Sequence, residues 1–478
     1  MLESFDKLSA IQLELYAGRL TCEAIVTDYL DRIGRSESLN AFVEVYAEDA
    51  LARAREVDAR VKTRSAGRLA GLVIGVKDVI SHQGYALQAG SRILSGYKSP
   101  YHATVIQRVL DEDAVIIGRQ NCDEFAMGSS NENSAFGPVA NAAATDRVPG
   151  GSSGGSAVAV QAGLCHASLG SDTGGSVRQP ASFCGVVGLK PTYGRVSRWG
   201  LVAYASSFDC IGPITRSVED AALLLEIIAG KDDADSTVSS AAVPAYSASL
   251  SWSGQARIGY LEESVTSEAI QPEVREQTLS MLRKLEAEGH VVEPVSFRSA
   301  KYLLPTYYIL TTAEASSNLS RFDGVRYGYR AKGVKDLETL YKRSRSEGFG
   351  KEVKRRILLG TFVLSASYYD AYYTKAQRVR RLIVDETKEA LSRFDFIVSP
   401  VAPTTAFKRG EKTQDPLQMY LADIFTVQAN VTGLPAISVP NGVDREGLPI
   451  GFQMMGRAFE EDKLLSFGNH VSGLVSTE

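Results

Sequence analysis

The sequence predicts an α/β protein with a single large domain, in which a mixed β-sheet forms the core and helices surround it. Short apolar runs alternate with amphipathic segments along the chain, a pattern typical of strands and helices that pack against one another. The 478 residues are 44% hydrophobic and 23% charged, which is enough to bury a substantial core. No long run rich in proline, serine or charge interrupts the alternation as a linker would. We therefore expect one domain over residues 1–478.

Within this domain the sequence predicts three consecutive parts. Residues 1–65 form an N-terminal helical layer. Residues 66–220 contain the central strands and the motifs described below. Residues 221–478 complete the sheet, add further helices and contribute a substrate pocket.

The elements follow from the spacing of apolar residues. Thr21 can cap a helix that carries Ile25 and Ile33 on its apolar face, and residues 46–61 form a second helix that is rich in alanine and charge. The other predicted strands are residues 72–80, 114–117, 167–169, 256–260, 291–295, 396–401, 436–439 and 450–455. The other predicted helices are residues 104–111, 156–163, 273–288, 302–319 and 373–391. A further short helix should follow the loop at residue 176.

Composition argues against several classes of function. The net charge of −4 and the pI near 5.9 argue against a chain that binds nucleic acid by itself. The basic run at residues 351–356 is typical of the solvated face of a helix. No stretch of 18 apolar residues and no leader-like pattern at residues 1–5 occurs, so we expect a cytoplasmic protein without a membrane segment.

The cysteines and histidines show no metal-binding pattern. The five cysteines form no C-x-x-C pair, and the five histidines form no H-x-x-x-H pair. We expect the cysteines to be small buried side chains in a reducing compartment, and we expect no metal site. These residues are Cys22, Cys122, Cys165, Cys184, Cys210, His82, His102, His166, His290 and His470.

Two glycine-flanked serine clusters carry the strongest functional signal. They are residues 150–156 (GGSSGGS) and 170–176 (GSDTGGS), and Lys77 lies upstream in an apolar run. A serine becomes a nucleophile when a base removes its proton, and a lysine can be that base if burial lowers its pKa. Backbone N–H groups in a glycine-rich loop can bind a developing oxyanion. The candidate oxyanion residues are Thr173, Gly174 and Gly175.

Each element also has a simpler interpretation. A run of glycine and serine is usually a flexible loop, and a single lysine at a strand end is usually solvated. Residues 151–155 also fit the G-x-S-x-G nucleophile elbow, which would make Ser153 the nucleophile and would need a late histidine, either His290 or His470.

The order and spacing of the three elements resemble the amidase signature family. Lys77 precedes Ser152 by 75 residues, and Ser152 precedes Ser176 by 24. By this resemblance Ser176 is the nucleophile, Ser152 is a bridging serine reached through a cis peptide bond, and Lys77 is the base. The family fold is a mixed sheet surrounded by helices, in agreement with the pattern above.

Further segments resemble one branch of that family, the glutaminase (A) subunits of glutamyl-tRNA(Gln) amidotransferases. The similar segments are residues 190–197, 199–207, 314–319, 323–328 and 419–426. The resemblance implies hydrolysis of glutamine to glutamate and ammonia. It also implies that Arg356 binds the α-carboxylate and Asp423 the α-ammonium group, while Tyr307 or its neighbour Tyr308 lines the pocket. From the residue alone, Arg356 would be assigned to an ordinary surface ion pair.

The same resemblance implies partners. A B subunit would receive the ammonia through a channel and convert glutamyl-tRNA(Gln) to glutaminyl-tRNA(Gln) with ATP and Mg²⁺, and a small C subunit would complete a heterotrimer. The tRNA would be bound mainly by the partner, and this chain itself would hold no cofactor.

Two other functions stay open at this point. A stand-alone amidase acting on small aryl or acyl amides would keep Lys77, Ser152 and Ser176 but would not need Arg356 or Asp423. A scaffold without catalysis would not need the three signature residues, which are all present.

Overall fold

In the computed structural model, which describes residues 6–475, one sheet of eleven strands runs through the molecule. The strands are β1 Phe42–Val45, β2 Val73–Lys77, β3 Val115–Gln120, β4 Ala167–Asp172, β5 Val187–Lys190, β6 Cys210–Thr215, β7 Arg257–Leu261, β8 Val291–Val295, β9 Phe396–Pro400, β10 Ala436–Val443 and β11 Pro449–Met455. Their spatial order is β1-β3-β2-β4-β6-β5-β10-β11-β9-β7-β8. Residues 1–5, where the sequence shows no leader pattern, and residues 476–478 lie outside the described residues.

Helices cover the sheet along its length. They are α1 Leu8–Tyr16, α2 Cys22–Arg35, α3 Ala47–Lys62, α4 Thr104–Asp111, α5 Gly154–Gln161, α6 Arg178–Phe183, α7 Val218–Ile228, α8 Glu263–Thr266, α9 Pro272–Ala287, α10 Leu303–Asn318, α11 Leu337–Gly348, α12 Lys351–Val363, α13 Lys375–Arg393, α14 Pro416–Leu421, α15 Val427–Thr432 and α16 Glu461–Val475. A π-helical turn, Asp370–Thr374, leads into α13. Among residues 6–475, no helix is long and apolar enough to cross a membrane.

The sheet is mixed, as the sequence predicts. Strand β2 runs parallel to β3 and β4, whereas β4 pairs antiparallel with β6 and β10 pairs antiparallel with β11. Parallel neighbours end at the same edge of a sheet. The ends of β2 and β4 therefore bring Lys77 and the GSDTGGS loop to one edge.

The central strands are buried at every position, including all residues of β2, β3, β4, β6 and β9. Helices therefore cover both faces of the sheet there. The five cysteines are all buried and unpaired, which confirms their predicted role as small buried side chains.

The structure differs from the predicted elements in physically explicable ways. The strand predicted at residues 72–80 ends at Lys77, because the Asp78 carboxylate accepts the backbone N–H groups of Gln88 and Gly90 and fixes a turn. The helix predicted at residues 373–391 starts at Lys375, after the π-helical turn. Strands β1, β5 and β6 were not predicted, because they are short or carry glycine and proline.

Candidate active site

Lys77, the last residue of β2, is fully buried at the centre of the site. Its Nζ donates hydrogen bonds to Ser152 Oγ at 2.7 Å, Ser153 Oγ at 2.8 Å and Ser171 Oγ at 2.9 Å. Burial lowers the pKa of Lys77 from its usual range to about 8. The side chain is thus surrounded by hydroxyl groups, and about one tenth of it is neutral at pH 7, which makes the neutral amine available as a general base.

Ser152 lies in the loop before α5, and the peptide bond between Gly151 and Ser152 is cis, as the family resemblance implies. The Gly151 N–H donates to Gln179 Oε1 at 2.8 Å. A Cβ atom at Gly151 would come within 2.2 Å of the Asp123 carboxylate, so the loop has room only for glycine at this position.

Ser176 lies between β4 and α6 and is 8% exposed, whereas Ser152 is fully buried. Its carbonyl oxygen accepts the Ser153 N–H at 3.2 Å, so the two serine clusters pack directly on each other. Among the hydrogen bonds of residues 6–475, none joins the hydroxyl groups of Ser152 and Ser176.

The predicted oxyanion loop contains both engaged and free donors. The Gly175 N–H donates to Asp172 Oδ1 at 2.8 Å. The N–H groups of Thr173, Gly174 and Ser176 donate no hydrogen bond within the described part of the chain. The free donors are therefore the ones that could bind an oxyanion, and Gly175 instead holds the loop in shape.

Asp172 and Arg178 form a buried ion pair beneath this loop, which was not predicted from the sequence. Arg178 Nε donates to Asp172 Oδ2 at 3.0 Å and Arg178 Nη2 donates to Asp172 Oδ1 at 3.0 Å, and both residues are fully buried. Burial by itself would raise the pKa of Asp172, but the Arg178 guanidinium outweighs it and holds this pKa well below its usual range. The signal in the sequence was the position of both charges within six residues, on either side of Ser176.

Removing Arg178 should strongly destabilise the protein. Arg178→Ala leaves the Asp172 charge buried without its partner, which typically costs about 3–5 kcal/mol of unfolding free energy. Urea denaturation of the full chain measures this loss. Arg381→Ala is the control, because Arg381 is an exposed partner of Asp385 and such pairs contribute about 1 kcal/mol or less. Equal stabilities of the two variants would contradict the structural role assigned to Arg178.

Arg356 on α12 is buried rather than on the surface, so the surface ion pair inferred from the residue alone is wrong. Its Nε donates to Glu352 Oε1 at 2.8 Å and its Nη1 to Tyr204 Oη at 2.9 Å. The guanidinium lies 5.5 to 5.6 Å from the ring centroids of Tyr204, Tyr308 and Tyr420. Aromatic faces and one carboxylate therefore fix its orientation.

Asp423 lies on the same side of the site. Its Oδ2 accepts a hydrogen bond from Ser129 Oγ at 2.7 Å and one from Tyr308 Oη at 3.4 Å. Because the ring of Tyr308 also faces Arg356, this tyrosine connects the predicted carboxylate and ammonium ligands. Burial raises the pKa of Asp423 to about 7.

Two contacts connect this pocket with the nucleophile loop. Thr426 Oγ1 donates to the Gly174 carbonyl at 2.6 Å, and the Thr426 N–H donates to the Asp423 carbonyl at 3.0 Å. A Cβ atom at Gly174 would come within 2.3 Å of Tyr307 Oη, so the Tyr307 hydroxyl lies against this loop. Tyr307 and Tyr308 therefore both belong to the site, with Tyr307 at the nucleophile loop and Tyr308 at Asp423.

A cavity beside the site is lined by Gly128, Ser130, Arg356, Met419 and Tyr420, and Ser176 does not contribute to its lining. Within residues 6–475, no group of three or more His, Cys, Asp or Glu side chains could hold a metal ion.

The nucleophile elbow is not supported by the structure. The Ser153 hydroxyl contacts Lys77 and the carbonyl oxygen of Ser171, not a histidine. The Nε2 atoms of His290 and His470 lie 3.3 Å apart, and His290 Nδ1 accepts the Ala256 N–H. The two histidines thus contact each other, His290 in the loop after α9 and His470 on α16.

Known proteins with similar sequences belong to the family that the order of Lys77, Ser152 and Ser176 resembles. The amidase family model matches residues 24–465. The glutamyl-tRNA(Gln) amidotransferase A subunit of Chlorobium phaeobacteroides (strain BS1) is 52% identical over 471 residues, which are 98% of this chain and 98% of that protein. The corresponding protein of Acidobacterium capsulatum is 52% identical over 460 residues, which are 96% of each protein.

Solved structures of similar proteins also match nearly the whole chain. The structure of the glutamyl-tRNA(Gln) amidotransferase A subunit from Thermotoga maritima matches with a TM-score of 0.78 and 43% identity, over 96% of this chain and 93% of that one. Peptide amidase from Stenotrophomonas maltophilia matches with a TM-score of 0.82 and 30% identity, over 99% and 98%. Because the family model and these relatives span nearly the whole sequence, the resemblance is confirmed and the protein belongs to the amidase family.

Proposed function

We propose that the protein is the glutaminase subunit of a tRNA-dependent amidotransferase. The observation that carries this proposal is the position of a buried cation, Arg356, and a buried carboxylate, Asp423, which both contact Tyr308. Free glutamine presents an α-carboxylate and an α-ammonium group, and these two residues match both charges. A simple amide has neither charge, so a stand-alone amidase would have no use for two buried ionic groups that are costly to desolvate.

In the proposed reaction, Ser176 attacks the carboxamide carbon of glutamine while its proton passes through Ser152 to neutral Lys77. The free N–H groups of the loop at residues 173–176 bind the oxyanion. Lys77 then returns the proton to the leaving ammonia, and water releases glutamate from the acyl enzyme by the same relay. The hydroxyl contact between Ser152 and Ser176 would form on substrate binding, when catalytic hydrogen bonds tighten.

The pH dependence of kcat should report Lys77. Its pKa is about 8, so the amine is charged below this pH and neutral above it. Because only the neutral amine accepts the proton, kcat should fall about tenfold per pH unit below about 8 and level off above it. Stopped-time assays of ammonia release at saturating glutamine, from about pH 6 to about pH 9.5, measure this limb. A kcat that is constant over this range would contradict the assignment of Lys77 as the base.

The proposal includes partners. Ammonia released at Ser176 would pass to a second subunit, which would use ATP and Mg²⁺ to convert glutamyl-tRNA(Gln) to glutaminyl-tRNA(Gln), and a third small subunit would complete the complex in the cytoplasm. The net charge of −4 supports a subunit that leaves tRNA binding to its partner. The similar proteins are themselves single subunits of an amidotransferase, which supports a multi-subunit assembly.

Substrate choice tests the proposal directly. We would measure ammonia release from glutamine and from small aryl and acyl amides, with and without the other subunits, glutamyl-tRNA and ATP. Selective release from glutamine that increases with glutamyl-tRNA and ATP is the expected result. Preference for simple amides without any response to tRNA would favour the stand-alone amidase.

A further inference from the structure

An exposed apolar surface lies on the second half of α12, which carries Arg356, and on the segment that follows it up to the π-helical turn. Five large side chains form it: Leu358, Leu359, Phe362, Tyr368 and Tyr372, which we call the aromatic face. They are between 38% and 71% exposed. The Phe362 ring centroid lies 4.4 Å from that of Tyr368 and 5.7 Å from that of Tyr372, so the rings form one cluster. Large contiguous apolar patches on a protein surface mark interaction sites.

The charges around this face have the arrangement of an interface. Between residues 357 and 374 the only charged residue is Asp370. Basic residues stand at both ends of this stretch: Lys351, Lys354, Lys375 and Arg378, whereas the nearby Arg355 and Arg381 are paired with Glu352 and Asp385. A centre rich in aromatic residues and poor in charge, with charged residues at its edge, is the usual anatomy of a protein interface.

We propose that the aromatic face docks a partner protein of different sequence, whose contact surface is apolar at its centre and acidic at its edge. This inference rests on the proposed function, and the partner is then one of the other amidotransferase subunits. A second copy of this chain would bring the same basic edge against itself, and such like-charge contacts are unfavourable. RNA would require cations at the centre of the surface, where this face has leucines.

The position of the face connects docking with the substrate pocket. Helix α12 exposes Leu358 to solvent and buries Glu352 and Arg356 on its other side. The Gly350 N–H at the start of this helix donates to the Glu124 carboxylate at 2.8 Å, which anchors the helix to the loop before the serine clusters. A partner bound to the aromatic face would therefore contact the same rigid helix that holds the glutamine carboxylate ligand.

The test uses the full chain with the other two amidotransferase subunits of the same organism. Leu358→Asp and Phe362→Asp should each raise the Kd of the complex by at least about 30-fold, the effect of a central interface residue. Leu13→Asp is the matched control, because Leu13 is 71% exposed on α1 and should leave the Kd within about threefold. Thermal unfolding of each variant checks that it folds.

Hydrogen exchange of the wild-type complex gives a test without any variant. Binding should protect amides at residues 358–372 more than those of α1. Normal binding by both variants, or unchanged exchange at residues 358–372, would show that the aromatic face does not dock the partner. The proposed function would be unaffected by that result. Failure of the wild-type chain to bind the two subunits would overturn the proposed function as well. Loss of self-association or of tRNA binding in the variants, with subunit binding intact, would assign the face to another occupant and overturn the proposal.

Discussion

Ser176→Ala is expected to lower kcat for ammonia release from glutamine by about 10⁴-fold or more, because the variant lacks the atom that forms the acyl enzyme. The change removes one hydroxyl from a residue whose backbone, not its side chain, contacts Ser153. The loop should therefore keep its shape, and the Asp172–Arg178 pair beneath it should remain. The measurement is ammonia release under single-turnover and steady-state conditions, with unfolding midpoints recorded for each variant.

Ser153→Ala is the matched control for this experiment. Ser153 is also a serine of the GGSSGGS cluster and also contacts Lys77 Nζ, at 2.8 Å. It should lose far less activity than Ser176→Ala, about tenfold, because one polar contact of the base is lost but no nucleophile is. Lys77→Ala combined with Ser176→Ala should cost little more than either change alone, since residues that act as a unit fail together. An inactive Ser153→Ala beside an active Ser176→Ala would reverse the two roles.

The meeting of Lys77 with the serine clusters was predictable because the motifs follow buried strands that are parallel neighbours. Lys77 closes a buried apolar run, and such a run predicts a central strand. The GSDTGGS loop lies at the end of β4, and β4 is a parallel neighbour of β2. Parallel pairing then brings the two together, although they are 94 residues apart at Lys77 and Ser171.

The substrate pocket was less predictable because its residues meet only through tertiary packing. Nothing in the sequence near Arg356 indicates that Tyr204, 152 residues earlier, accepts its hydrogen bond. The basic run around Arg356 has the composition of a solvated helix face, and only the helical phase determines that Arg356 points inward while Lys354 points outward. The Asp172–Arg178 pair was missed although its charges lie six residues apart on either side of Ser176, because charges this close in sequence rarely form a buried network.

Asp423→Asn is expected to raise KM for glutamine by about 30- to 5000-fold, with a smaller change in kcat. The substitution keeps the shape of the side chain but removes its charge, and losing one member of a buried charge pair costs about 2–5 kcal/mol of binding. Ser129 Oγ and Tyr308 Oη can still donate to the amide oxygen, so the pocket should keep its hydrogen bonds. Butyramide, which has the carboxamide but lacks both α-charges, should show an unchanged KM.

The pH dependence of KM distinguishes this role from a structural one. The pKa of Asp423 is raised to about 7 by burial, so the carboxylate is ionised above this pH and neutral below it. Because only the ionised form pairs with the α-ammonium group, KM of the wild-type enzyme should rise as pH falls below about 7, whereas KM of Asp423→Asn should stay flat. Asp385→Asn, an exposed carboxylate paired with Arg381, should behave as wild type. If Asp423→Asn raised KM equally for glutamine and butyramide and kept the pH dependence, then the charge of Asp423 would not be what selects glutamine, and the stand-alone amidase would be the better assignment.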